Sequence, residues 1–182
     1  MGNTDGFALG KVSGHAPGFT ANSYFKGEFR EVSLHEYLHQ GKWVVLFFYP
    51  LDFTFVCPTE IQEFSRKAKE FEKEGAQILG ISVDSEYSHK AWCKGDLGDL
   101  EFPLISDFTK EISMMYGVLH ADGMSLRGTF IIDPSGIIHH ATINNLPLGR
   151  NVDETLRILQ GAKTGHLCPV GWKKVEKTLG KA

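Results

Sequence analysis

WVVLFFYPLDFTFVCPTE, residues Trp43–Glu60, spells out a buried strand, a short loop and the start of a helix. The apolar run Trp43–Tyr49 reads as a strand covered on both faces of a sheet, because no polar residue alternates with the apolar ones. Pro50, lacking an N–H, stops it. A loop then delivers Cys57 to Pro58, after which Ile61, Phe64, Ala68 and Phe71 recur at helical steps over Pro58–Glu74. Gly75 closes that helix as a C-terminal cap would. A cysteine at such a junction faces backbone N–H groups with no helical partner, where negative charge is favoured. Thiolate is the reactive form of cysteine, so the position suits chemistry. The structural alternative is a small hydrophobe capping a core helix.

Outward from this stretch, residues 1–27 are Gly-rich and polar, with a turn at His15-Ala16-Pro17-Gly18 and no strand expected. Glu28–Ser33 reads as a short strand and Leu34–His39 as a helical turn. Downstream, Gln77–Val83 is a second apolar strand, residues 86–94 are helical, and Gly95–Glu101 is a loop. Phe102–Ile105 forms a short strand, and Asp107 can cap a helix over Thr109–Tyr116. Gly128–Ile132 and Ile137–Ile143 flank the turn Asp133-Pro134-Ser135-Gly136. Asn151 with Glu154 resembles a capping box for a last helix to about Ala162, with Val152, Leu156 and Leu159 on one face. The alternation predicts an α/β fold: a central mixed sheet with helices on both faces, parallel at first and antiparallel at the hairpin. Ligands on such sheets gather at the C-terminal ends of strands, where Cys57 falls.

The chain has 182 residues, 42% of them apolar, and a formal net charge of −3. That supports one domain with a proper core and argues against disorder or a nucleic-acid footprint. The densest basic group, Lys173-Lys174 with Lys177 and Lys181, reads as a solvated face. The N-terminus MGNTDGFALGKVSG shows no signal-peptide core and misses the myristoylation pattern at Gly6, and no apolar run is long enough to cross a bilayer. Three cysteines, Cys57, Cys93 and Cys168, without a dense framework fit a reducing cytoplasm.

Several chemistries fail on spacing. No C-x-x-C or paired-cysteine spacing supports zinc, and the adjacent His139-His140 point to opposite faces of a strand. Ser125 in Gly123–Gly128 lies one residue too far from the second glycine for a hydrolase elbow. The lack of a Gly-rich phosphate loop predicts no tightly bound nucleotide, so no metal and no cofactor are expected. What remains is thiol chemistry at Cys57. Attack on a peroxide O–O bond needs a deprotonated sulfur, donors to the peroxide oxygens and stabilisation of the leaving oxygen. Thr54 offers a hydroxyl, Pro50 a wall without an N–H, and Arg127 a distant cation.

Pro50-x-x-x-Thr54-x-x-Cys57 with FVCPTE resembles the peroxiredoxin family, particularly its AhpC-type alkyl hydroperoxide reductases. WVVLFFYP before it, the run Asp122–Asp133 (DGMSLRGTFIID) and the terminal CPVGW also fit, so the resemblance spans roughly Phe19 to Trp172. It implies a thioredoxin-like fold for residues 1–164 and a C-terminal tail, 165–182, carrying a resolving cysteine. Cys57 would be the peroxidatic cysteine, with Pro50, Thr54 and Arg127 completing its site, Glu60 and Arg150 supporting it, and Cys168 resolving. The implied cycle reduces a hydroperoxide through a Cys57 sulfenic acid and a Cys57–Cys168 disulfide between the two halves of an antiparallel dimer. A thioredoxin-like protein or a flavoprotein would return the thiols, and five dimers would form a ring. The first turn after Cys57 is then expected to be marginally stable, since the sulfur must be held and later released.

Cys93, beside Trp92, matches no family role and reads as a packing residue. Members easily inactivated by excess peroxide carry a Gly-Gly-Leu-Gly loop and a C-terminal helix ending in Tyr-Phe. Here the loop reads Lys94-Gly95-Asp96-Leu97-Gly98 and the sequence ends at Lys181-Ala182 without that helix, which predicts resistance to overoxidation and leaves the order of the residues after Trp172 open. Alternative functions for the same fold are a ring-forming holdase and a peroxide-sensing relay.

Overall fold

The computed structural model describes residues 10–181. The expectations for a leader or an acylation signal in the first nine residues lie outside them. Among the described residues, seven strands form one mixed sheet in the order β2-β1-β5-β4-β3-β6-β7. They are β1 (Thr20–Phe25), β2 (Glu28–Ser33), β3 (Trp43–Phe48), β4 (Ala76–Ser82), β5 (Leu104–Ser106), β6 (Arg127–Ile132) and β7 (Ile138–Asn144). The helices are α1 (Leu34–His39), α2 (Cys57–Lys73), α3 (Glu86–Trp92), α4 (Glu111–Met115) and α5 (Val152–Thr164). Strands β3, β4 and β5 pair in parallel, while β3–β6, β6–β7, β1–β5 and β1–β2 are antiparallel.

The apolar run at β3 is continuous because its two faces serve two cores. Val45, Phe47 and Tyr49 pack with Ile61, Phe64 and Phe71 of α2, Trp92 of α3, and Leu156 and Leu159 of α5. Val44, Leu46 and Phe48 pack on the other face with Leu34 of α1, Ile112 of α4 and Phe130 of β6. Period-two alternation thus hides within an unbroken hydrophobic string. Phe47 stacks on Phe64 with ring centroids 4.4 Å apart. Gly80 of β4 makes room for it: a Cβ there would lie 2.9 Å from Phe47 Cζ.

Two elements differ from the sequence expectation. Strand β1 lies where no strand is expected, joined to β2 by Lys26-Gly27, both with positive φ (46° and 95°). Only Ser23 and Tyr24 of β1 are buried, so its hydrophobic signal is weak, and pairing with β2 and β5 decides its conformation. The loop expected from Gly95 instead begins as a π-turn over Cys93–Leu97, continuing α3, with Gly95 at a non-helical φ/ψ of −97°/−115°. It rests on α2 through Gln62 Nε2 to Leu97 O and Glu101 N to Ser65 Oγ.

Caps follow local chemistry. Asp107 accepts from the N–H groups of Ile112 and Ser113, though α4 starts two residues later than expected, after Lys110 in the left-handed region (φ 65°). Asn151 accepts from Glu154 N, but the Glu154 carboxylate pairs with Arg157, so only half a capping box forms.

Helix α5 ends at Gly165, φ 62°. The chain beyond it folds back on itself, with Leu167 N donating to Gly180 O and Leu179 N to Leu167 O. Trp172 is buried against Gly161 of α5, and Lys174 and Lys163 both pair with Glu74 at the end of α2.

Candidate active site

Cys57 is the first residue of α2, beyond the C-terminal end of β3. Two sequence features place it there. Pro50 ends the strand, and Pro58 in the first helical turn needs no N–H partner and arrives with a helical φ. Val56 at the N-cap provides no side-chain acceptor, so that end of α2 keeps its positive character next to the sulfur.

The intervening loop, residues 51–56, is held from inside. The Asp52 carboxylate accepts from Tyr49 Oη (2.9 Å) and Ser88 Oγ (2.7 Å) and lies 2.8 Å from His89 Nδ1, while Asp52 N donates to Asp84. Asp52 and His89 are buried, so this cluster ties the loop to α3. Burial pushes the Asp84 carboxyl up, with the Asp52 charge adding to it. Phe53 adopts φ 55°, uncommon for a bulky residue, and tilts against Trp92 at 5.7 Å. Thr54 Oγ1 donates to Leu51 O at 2.9 Å. The hydroxyl braces the loop in this conformation and is not spent on the sulfur.

Two arginines from distant parts of the chain converge behind Cys57 on Glu60, one turn along α2. Arg127, at the start of β6, places Nη1 3.4 Å from Cys57 Sγ and 2.6 Å from Glu60 Oε2. Arg150, just before α5, donates to Glu60 through N, Nε and Nη2 at 2.8–2.9 Å. Its Nη1 donates to the carbonyls of Phe48 and Gly128, and its guanidinium lies 5.1 Å from the Phe47 ring centroid. Arg127 Nε donates to Leu146 O. One carboxylate thus holds two buried guanidiniums, leaving a positive charge beside the sulfur. Burial pushes the Glu60 carboxyl up, but its bonds and charge interactions with Arg150 and Arg127 outweigh this and hold it below its ordinary value. Burial likewise pulls Arg150 down, against the opposing pull of Glu60.

The structure brings Cys57, Glu60, Arg127 and Arg150 into direct contact and leaves Pro50 and Thr54 in the loop that leads to the sulfur. Cys168 is elsewhere: its sulfur lies near Thr164 Oγ1 and the carbonyls of Gly161 and His166, on the segment after α5. All three cysteines are free. Burial raises the Cys93 thiol to about 12, consistent with packing. The contributions of Leu146 O, Phe48 O and Gly128 O carried no sequence signal, because any residue type supplies a carbonyl. No group of three or more His, Cys, Asp or Glu among the described residues could hold a metal ion, and no helix among them is long and apolar enough to cross a membrane.

Cys57 has no exposed surface, so a substrate reaches it only if the 51–56 loop or its surroundings shift. Once there, a small oxygen-bearing molecule would meet a nucleophilic sulfur, a guanidinium donor and the N-terminus of α2. This arrangement can stabilise charge that moves from sulfur onto oxygen.

A family model described as the AhpC/TSA family matches residues 12–141. The chain is 53% identical over 179 residues to the chloroplastic 2-cysteine peroxiredoxin of Chattonella marina var. antiqua, covering 93% of this chain and 91% of that protein. It is 49% identical over 179 residues to peroxiredoxin-2 of Mus musculus, with coverage of 93% and 89%. Among solved structures, the reduced 2-Cys peroxiredoxin of Plasmodium vivax matches with a TM-score of 0.88 at 42% identity, covering 92% of this chain and 91% of that one. AhpC of Mycobacterium tuberculosis matches with a TM-score of 0.82 at 40% identity, covering 91% and 99%.

Proposed function

The chain belongs to the AhpC/TSA family, and from that premise we propose that Cys57 is the sulfur that attacks the peroxide. The protein is a thiol peroxidase of the 2-Cys peroxiredoxin kind, with the thioredoxin-like fold of that family. The observation that carries the assignment to Cys57 is the contact of Arg127 Nη1 with its sulfur, 3.4 Å, at the uncapped start of a helix.

In the proposed cycle, the Cys57 thiolate attacks one oxygen of ROOH. The O–O bond breaks, ROH leaves after protonation, and Cys57 becomes a sulfenic acid. Arg127 donates to the developing charge on the leaving oxygen. Glu60 and Arg150 position Arg127: the carboxylate fixes one edge of its guanidinium while Leu146 O takes Nε. Pro50 walls the sulfur against water, and Thr54 holds the approach loop. The thiol of Cys168 from a second protomer then condenses with the sulfenic acid, forming a disulfide and releasing water. A dithiol reductant, thioredoxin-like or flavoprotein-linked, restores both thiols by exchange.

The same reading takes the working unit to be an antiparallel dimer assembling into a ring of five dimers, which size-exclusion chromatography with light scattering would test. Sparse cysteine use supports a cytoplasmic location, to be checked by cell fractionation. The experiment for the reaction is peroxide-dependent NADPH oxidation by purified protein, with thioredoxin and flavoprotein systems supplied separately. Turnover that persists in Cys57→Ser would overturn the assignment.

A further inference from the structure

The sequence His35-Glu36-Tyr37-Leu38-His39 puts two imidazoles four residues apart on α1, at the end of the sheet remote from Cys57. Helix α1 is oriented by its buried side: Leu34 is 1% exposed, and Leu38 and Tyr37 pack on the core beneath β3. His35 and His39 therefore face solvent together, and both are exposed. Their ring centroids are 4.0 Å apart with planes tilted by 43°. We propose that His35 and His39 form a two-imidazole chelate for a divalent first-row transition ion such as Ni(II), Zn(II) or Cu(II).

The chemistry rests on reach. Residues i and i+4 of a helix are neighbours on one face. A metal ion takes imidazole nitrogens at about 2.0–2.1 Å, which sets two ligand nitrogens roughly 3.3 Å apart around a tetrahedral ion. Rings already 4.0 Å apart, free in solvent, need only side-chain rotation to present two nitrogens at that spacing. The pattern has the H-E-x-x-H spacing that puts two zinc-binding histidines on one helix face. Here the resemblance to hydrolytic sites ends, because no third protein ligand joins the pair among the described residues. Water completes the coordination, so the site binds a labile ion and performs no peptide hydrolysis. The spacing that disfavours zinc at the cysteines and at His139-His140 does not apply to this pair. Copper and nickel bind ahead of earlier first-row ions at such nitrogen sites.

The test uses untagged, reduced protein titrated with Ni(II) by calorimetry and passed over an immobilised Ni(II) column. One equivalent should bind. His35→Asn and His39→Asn should each weaken binding about a hundredfold, because the second imidazole acts as an intramolecular ligand. The double variant should lose the site altogether, since no imidazole of the pair remains to hold the ion. Far-UV circular dichroism and peroxide turnover of these variants should match the parent, since neither residue contacts the sulfur site. Parental affinity in either single variant overturns the proposal. So does binding that is lost instead in Cys57→Ser, Cys168→Ser, His139→Asn or His166→Asn, which would move the ligands elsewhere.

Discussion

Replacing Glu60 by glutamine keeps the side-chain volume and removes one charge from a place where charge balance is tight. Glu60 is 3% exposed and accepts from Arg127 Nη1 (2.6 Å) and from Arg150 N, Nε and Nη2 (2.8–2.9 Å). A glutamine offers one oxygen and turns an NH2 toward a guanidinium, setting donor against donor. Two buried guanidiniums then share no carboxylate. Breaking a buried ion pair by removing one partner costs about 3–5 kcal/mol. At about 2–4 °C per kcal/mol for a chain of this size, the midpoint of thermal unfolding should fall by roughly 6–20 °C. The assay is circular dichroism of reduced protein at neutral pH, at matched protein concentration because assembly shifts apparent stability. Adding Arg127→Met should recover part of the loss, since one uncompensated charge leaves with it. A midpoint within about 2 °C of the parent would show that the carboxylate does not hold the two arginines together.

The same carboxyl sets an acid limit. A group whose folded value is depressed contributes stability that is present above its ordinary value, 4.5, and is lost as pH falls through the folded value. The stability gap between parent and Glu60→Gln should therefore narrow below pH 4.5, measured by urea titration at stepped pH. Arg127→Ala should slow the reaction of reduced protein with peroxide by about a hundredfold or more, for loss of a donor worth roughly 3 kcal/mol in the transition state; stopped-flow rates equal to the parent would exclude it from the site. Cys168→Ser should complete one turnover and then stall with a thioredoxin-type reductant, and sustained turnover would remove its resolving role. At low peroxide, mass spectrometry should find little sulfinic acid on Cys57; its accumulation would overturn the expected resistance to overoxidation.

Some of the site could be read directly from neighbouring residues. Pro50, Cys57 and Pro58 are a few residues apart, and a strand that must stop and a helix that must start leave marks in residue type at short range. The charged partners leave no such marks. Arg127 lies 70 residues from Cys57 and 67 from Glu60, and Arg150 lies 90 from Glu60. From residue type alone Arg127 is only one candidate cation, and only a family resemblance names Glu60 and Arg150. Asp52 and His89 carry no sequence signal of comparable strength, although a buried polar residue must find a partner; a lone Asp inside an apolar loop motif is the available hint.

By itself, the sequence determined the alternation of strands and helices, the burial of β3 on both faces, the turn at Asp133–Gly136 and the position of Cys57 at a helix start. These follow from hydrophobic period, proline and glycine geometry and capping, all of which act within a few residues. Tertiary structure alone decided that β1 sits between β2 and β5, that the tail folds back under Trp172 and Lys174, and that one carboxylate holds two guanidiniums behind the sulfur. Such choices depend on which distant surfaces meet. A buried charge is tolerated only where its partner arrives, and nothing local in the sequence records that meeting.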